Sequence, residues 1–140
     1  NTYGRHDNDF FVMERVITQM LAGGAVRLGP FWPERNFLYV DDLVDLYRRA
    51  MADPEGAASV RVATLGPPNA LSIGALVELV AGVLGWDGDV EWLTQQVRPG
   101  EVDRLDSETT PLLTLALGWE PTTGLEDGVA LTARKWGWGG

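Results

Sequence analysis

The 140-residue sequence has no cysteine, a single lysine (Lys135) and a single histidine (His6). The missing cysteines exclude disulfides and thiolate metal sites and say nothing about compartment. With one lysine, any phosphate contact must come from arginine or from backbone amides. One histidine beside Asp7 and Asp9 is too small a donor set for a metal centre, so no metal is expected. No apolar run reaches the roughly 18–20 residues needed to cross a bilayer, and no signal-peptide pattern opens the chain. The expectation is a cytoplasmic protein with no membrane partner. The chain starts at Asn1 without an initiator methionine, as a fragment or a processed product would. Basic residues are also scarce, 11 against 20 acidic ones, for a net charge of −9. Nonspecific nucleic-acid binding needs a basic face and is therefore excluded as a function. A small anionic ligand is not, because a few local arginines outweigh distant charge within a Debye length.

What is present reads as short strands alternating with amphipathic helices. Residues 1–4 resemble the end of a strand. Asn8 or Asp9 is placed to cap a helix over 10–21, with Phe10, Met13, Ile17, Met20 and Leu21 on one face, and Gly23-Gly24 ends it. A brief strand is predicted over 25–28, then a turn-rich loop, Gly29 to Pro33. Phe37 to Val40 suits a buried strand. Asp41 would cap the next helix, with Val40, Leu43, Val44, Tyr47 and Met51 on its apolar face. Residues 53–57 read as a linker, and 59–65 as a strand alternating through Val60 and Val62. Ser72 caps a helix with a stripe of Ile73, Leu76, Val77, Val80, Val83 and Leu84, and Gly85 stops it. Residues 90–93 form a further strand, and 95–101 a polar loop. Thr110-Pro111 begins a short helix that Gly118 ends. Thr123 to Glu126 is a capping box for a last helix carrying Leu125, Val129, Thr132 and Trp136 on one face. The order predicts an α/β protein, a small mixed sheet of short strands with about five helices, in one domain over residues 1–140.

Three segments carry a resemblance. Arg35-Asn-Phe-Leu-Tyr-Val-Asp-Asp42 is similar to the Arg-Asp-Phe-hydrophobic-Val-Asp-Asp segment of the NAD-dependent nucleotide-sugar epimerases and dehydratases, the extended short-chain dehydrogenase/reductases. Asn1-Thr-Tyr-Gly-Arg5, followed by His6-Asp7-Asn8, looks most like dehydratases of the GDP-mannose 4,6-dehydratase type. Leu117-Gly-Trp-Glu-Pro121 is similar to the family's Leu-Gly-Trp-x-Pro signature. The order matches as well. The resemblance covers nearly all of this chain but only the family's C-terminal, substrate-binding portion, and implies a dinucleotide-binding Rossmann core outside the chain.

The family's redox chemistry requires parts that this sequence does not supply. Its Tyr-x-x-x-Lys pair is missing, since Asp7, Leu43 and Met51 stand four residues after Tyr3, Tyr39 and Tyr47. A Gly-x-x-Gly-x-x-Gly run does occur at Gly82, Gly85 and Gly88. It falls at the end of a predicted helix, where free carbonyls repel a pyrophosphate, and so reads as a helix stop and turn. No catalytic residue and no cofactor is therefore expected in this chain, NAD belonging to the intact family enzyme.

Substrate holding is what the resemblance leaves. It implies that Asn1 faces the sugar diphosphate and that Val26 and Leu28 line the base. Arg35 and Arg98 would contact the diphosphate, and Glu101 the ribose. Arginine offers a fork of donors to phosphate oxygens, and a carboxylate accepts from both ribose hydroxyls. Without the resemblance, Arg35 reads first as a surface or capping arginine, and Arg98-Pro-Gly-Glu101 as a turn with a solvated ion pair. Asn36 departs from the family's Asp and leaves the partner of Arg35 open. Asp42 and Asp45 read as a solvated helix face. The tryptophans read as core or interface residues, and Trp32, just before Arg35, would border a ligand cleft. Three functions fit: the nucleotide-sugar-binding portion of such an enzyme, a non-catalytic self-associating module derived from it, or a half-enzyme completed by a separate Rossmann chain.

Overall fold

The computed structural model of the chain describes every residue except Arg61, Pro68, Asn69, Gln96 and Arg98. Three helices carry most of the burial: α1 (Val12–Leu21), α4 (Ile73–Leu84) and α6 (Leu125–Lys135). Val16, Ile17, Leu76, Val80 and Val129 are fully removed from solvent in one shared cluster that also takes in Tyr3, Val26 and Phe37. Each such side chain contributes about 1.5–3 kcal/mol relative to exposure. Close approach is built in where α6 passes Tyr3. A Cβ on Gly128 would run into the Tyr3 hydroxyl.

The strands are short and form three small sheets, not one. β1 (Thr2–Tyr3) pairs in parallel with β4 (Leu38–Tyr39), and β2 (Val26–Leu28) in parallel with β6 (Val90–Trp92). The third sheet is mixed: β3 (Glu34–Arg35) lies between antiparallel β5 (Leu71–Ser72) and parallel β7 (Arg104–Leu105). Among the described residues, 59–65 hold no strand. Instead Thr64 is tied across to Thr110 by its amide, at 2.9 Å, and by its carbonyl, at 3.0 Å.

A second, smaller cluster joins Leu38, Leu46, Leu113 and Trp119. It packs α2 (Val40–Ala52) against α5 (Pro111–Leu117), while the expected linker coils into a short helix, α3 (Pro54–Ala58), capped by the Asp53 carboxylate. The described residues thus hold six helices where about five were expected.

Helix α2 corrects several readings at once. It begins at Val40, with Tyr39 as its N-cap and no side-chain capping bond, so Asp41 lies in the first turn. Asp42 is not solvated. Its side chain accepts from the Thr122 amide at 3.2 Å, the Thr122 hydroxyl at 3.0 Å and the Thr123 amide at 3.1 Å, while its carbonyl takes the Trp119 indole N–H at 2.9 Å. Thr123 is thereby drawn away from the expected capping box, and Gly124 becomes the N-cap of α6.

At α1 the N-cap is Phe11 and not Asn8 or Asp9, and Asn8 accepts instead from the Phe10 amide. Phe10 lies ahead of the helix and is 61% exposed, outside the apolar face expected for it. The stops at Gly85 and Gly118 stand as read, both left-handed, with φ of 67° and 58°.

Candidate functional site

Helix α1, strand β3 and the loop after β2 enclose a cleft of about 410 Å³ lined by Asn1, Leu28, Arg35 and Glu101, together with Phe10, Phe11 and Arg15. Its floor is the β2 end, where Leu28 is held by pairing with Trp92. Val26 lies two residues back on the same strand, wholly buried in the core, and does not line the cleft. Arg98 lies outside the described residues. Trp32 borders the far side of the loop, donating to the Asp103 carboxylate at 3.2 Å, and is not among the lining residues.

Arg35 is locked from several directions. Its guanidinium donates to the Glu34 carbonyl at 2.7 Å and the Asp103 carbonyl at 3.4 Å, and it forms an ion pair with Glu101. Only 11% of its side chain is exposed. The strap is completed by the Glu34 amide donating to Asp103 at 2.7 Å and by an ion pair between Arg104 and Glu34 at 2.8 Å. Arg35 and Glu101, 66 positions apart, therefore meet because β3 and the chain entering β7 run side by side.

Asn36 answers the question of its missing charge. It is 3% exposed, donates to the Pro67 carbonyl at 2.9 Å and the Asp106 carboxylate at 3.1 Å, and accepts from the Ser107 amide at 2.7 Å. An aspartate there would face the Asp106 carboxylate. The hydrogen bonds from Arg104, first, and Asn36 hold the Asp106 carboxyl below its ordinary range. The carboxylate partner of Arg35 is Glu101.

Asn1 sits between these groups, its backbone nitrogen and side-chain amide both donating to the Asn36 carbonyl, at 3.0 and 3.3 Å. The turn that follows is clamped. Glu14, wholly buried, accepts from the Gly4 and Arg5 amides at 3.0 and 3.1 Å. The Lys135 ammonium donates to the Gly4 carbonyl at 2.9 Å, and the Trp136 indole to the Arg5 carbonyl at 2.8 Å. All four backbone groups of that turn are thus satisfied by side chains, which fixes the direction of β1.

A larger hollow, about 600 Å³, lies elsewhere, between α5, Gly66 and residues 108–109. Its lining includes Leu115 and the carboxylates Glu108 and Glu120 and, among the described residues, no arginine. It is a poor receptor for an anion.

Sequence reasoning missed Arg15, Phe10 and Phe11 as cleft residues. Their only signal was an arginine one turn after two adjacent phenylalanines. The residues present also do not fit a dinucleotide at Gly82-Gly85-Gly88. Gly85 ends α4, so carbonyls and not amides point from that terminus. Among the described residues no cluster of histidine and carboxylate side chains could hold a metal, and no helix is long and apolar enough to cross a membrane.

This arrangement of short parallel ladders and helices is the fold of one portion of the nucleotide-sugar epimerases and dehydratases. The structure of UDP-glucose 4-epimerase from Thermotoga maritima superposes with a TM-score of 0.80 at 24% identity, over 97% of this chain and 43% of that one. In sequence, GDP-L-fucose synthase 1 of Arabidopsis thaliana is 29% identical over 142 residues, covering 94% of this chain and 42% of its own. UDP-glucuronic acid decarboxylase 1 of Xenopus tropicalis is 30% identical over 139 residues, covering 94% of this chain and 30% of its own. No family model matches. The chain is thus similar along nearly its whole length to NAD-dependent nucleotide-sugar epimerases and dehydratases, and it spans less than half the length of the curated relatives it matches.

Proposed function

We propose that this chain is the nucleotide-sugar-binding portion of an NAD-dependent epimerase or dehydratase and is not catalytically complete alone. The observation that carries this reading is the shared cleft of Asn1, Leu28, Arg35 and Glu101. In it Arg35 supplies planar donors to a phosphate oxygen, Glu101 accepts from ribose hydroxyls, and Asn1 faces the sugar diphosphate. Val26 acts beneath this surface by supporting Leu28, and Arg98 completes the diphosphate contacts. Hydride transfer and the Tyr/Lys proton chemistry belong to a Rossmann portion, on the same polypeptide or on another. Binding of ligand exchanges the Arg35–Glu101 pair for contacts from each residue to the nucleotide.

Isothermal titration calorimetry tests this. The chain is expected to bind UDP or GDP in the micromolar to millimolar range and to give no heat with NAD. Absence of heat with both nucleotides at millimolar concentration rejects the reading.

A second reading is a self-associating module derived from the same family. What favours it is the outer stripe of α2, where Val44, Tyr47 and Met51 are 46%, 60% and 73% exposed. Adjoining apolar side chains of that size are ordinarily covered by a partner surface.

A further inference from the structure

We infer that the aromatic hollow between α4 and β6 binds a small organic cation of the quaternary ammonium class. It shares no lining residue with the nucleotide cleft and stands apart from the reading above.

The hollow, about 360 Å³, is lined by Phe31, Gly74, Val77, Glu78, Val90 and Trp92. That is room for a small organic molecule. The fold holds its walls in place. The Phe31 carbonyl accepts from the Gly74 amide at 2.9 Å, which ties the loop after β2 to the first turn of α4. Phe31 is braced edge-on against Trp32, ring centres 5.5 Å apart at 87°, and the Trp32 indole is itself tied to the Asp103 carboxylate. Trp92 is set by the pairing of β6 with β2. The Phe31 and Trp92 rings meet with centres 5.8 Å apart and planes at 66°, as two walls of a corner, and Phe31 remains 48% exposed.

The chemistry of this lining decides the ligand. Of the six residues only Glu78 is ionisable, and among the described residues it enters no ion pair. From Ile73 to Leu93 the chain carries four carboxylates and no arginine or lysine. Arg27, on the neighbouring strand, lies in register with Glu91, on the sheet face opposite Val90 and Trp92, and pairs with it at 2.6 Å. An anion therefore finds no counter-charge. A saccharide needs several donors as well as acceptors, and the only side-chain N–H in the lining is the Trp92 indole. A cation finds what it needs: the negative faces of two aromatic rings and a carboxylate that no other residue neutralises. A quaternary ammonium group asks for no hydrogen-bond acceptor, which matches walls that are otherwise carbon.

The test is an NMR titration of the intact, isotope-labelled chain with choline chloride and with dimethylbutanol, the neutral carbon isostere of choline. The readout is the Trp92 indole N–H resonance, assigned by its loss in Trp92→Leu. Choline is expected to shift that resonance saturably at millimolar concentration, beyond the shift that sodium chloride causes at equal ionic strength. Dimethylbutanol should bind about five-fold more weakly, the scale of partly exposed cation–π contacts. Glu78→Gln keeps the shape and removes the charge, and Phe31→Leu keeps the bulk and removes the π face. Each should weaken choline by about three-fold. Both positions are exposed, so both variants should fold as the wild type does, which circular dichroism checks. Equal affinity for choline and dimethylbutanol overturns the inference, as does a choline response no larger than that of sodium chloride. Unchanged choline affinity in the two folded variants overturns it as well, since the cation would then be bound elsewhere.

Discussion

Helices α2 and α4 carry apolar stripes of similar spacing and meet opposite fates. On α4, Ile73, Leu76, Val77 and Val80 are all below 8% exposure, packed against α1 and α6. On α2, the stripe through Val44, Tyr47 and Met51 faces outward, while the side turned to the interior buries Asp42 and Leu46. Periodicity identifies a face that needs cover; it does not identify the cover. For α4 the covering helices lie within this chain. For α2 the interior side is held by a carboxylate that gathers three donors from residues 122–123, and that polar anchor sets the helix's rotation.

The sharpest way to exploit this contrast is to cut into α4. Leu76→Ala removes a fully buried side chain at the centre of the larger core. It should cost about 2–5 kcal/mol of unfolding free energy, measured as a fall in urea midpoint at constant slope. A loss below about 1 kcal/mol would mean that α1 and α6 collapse into the gap, outside the range usual for rigid cores.

The anchor of α2 comes next in size. Asp42→Ala strands the Thr122 and Thr123 donors at a site only 6% exposed. Leaving such groups unsatisfied costs about 1–3 kcal/mol. Asp42→Asn retains an acceptor and should cost less. If both variants unfold with the wild type, the rotation of α2 is set by Leu46 and Trp119 packing alone, and the contrast with α4 loses its polar half.

What the sequence made legible was local chemistry. Ser72 accepts from the Ala75 amide at 3.1 Å and Gly85 adopts the left-handed stop, so α4 begins and ends where its own residues say. Strands β3 and β7 were not legible, because two residues carry no period. They exist through pairing with partners some 70 positions away, Glu34 with Arg104. The Thr123 capping box was a sound local motif that lost its residue to Asp42, 81 positions earlier. In the cleft, Arg35 and Glu101 could be named by resemblance, but not their ion pair. Phe10 was assigned to a helical face, whereas the helix starts at Val12 and leaves Phe10 on the rim. Arg15 was marked only by its spacing from two phenylalanines, since an arginine on an amphipathic helix otherwise looks like any solvated one. Asn36, read as a lost charge, is a donor to Asp106, a role that only the fold reveals.

The smallest effect on stability is expected from the outer stripe of α2, and there the informative readout is association. Tyr47→Gln with Met51→Gln replaces exposed side chains by good helix formers, so unfolding free energy should change by no more than about 0.5 kcal/mol. If the stripe is where copies of this chain meet, wild-type sedimentation velocity will rise with concentration, and the double variant will sediment as a monomer throughout. A wild type that is monomeric at every concentration removes the self-association reading. The stripe would then be a surface for a different polypeptide, the Rossmann portion being the one whose chemistry the cleft requires. Because the substitutions lie on the helix face turned away from Asp42 and Leu46, the variant's nucleotide binding should match that of the wild type. A loss of nucleotide binding in the double variant would show that the two faces of α2 are coupled.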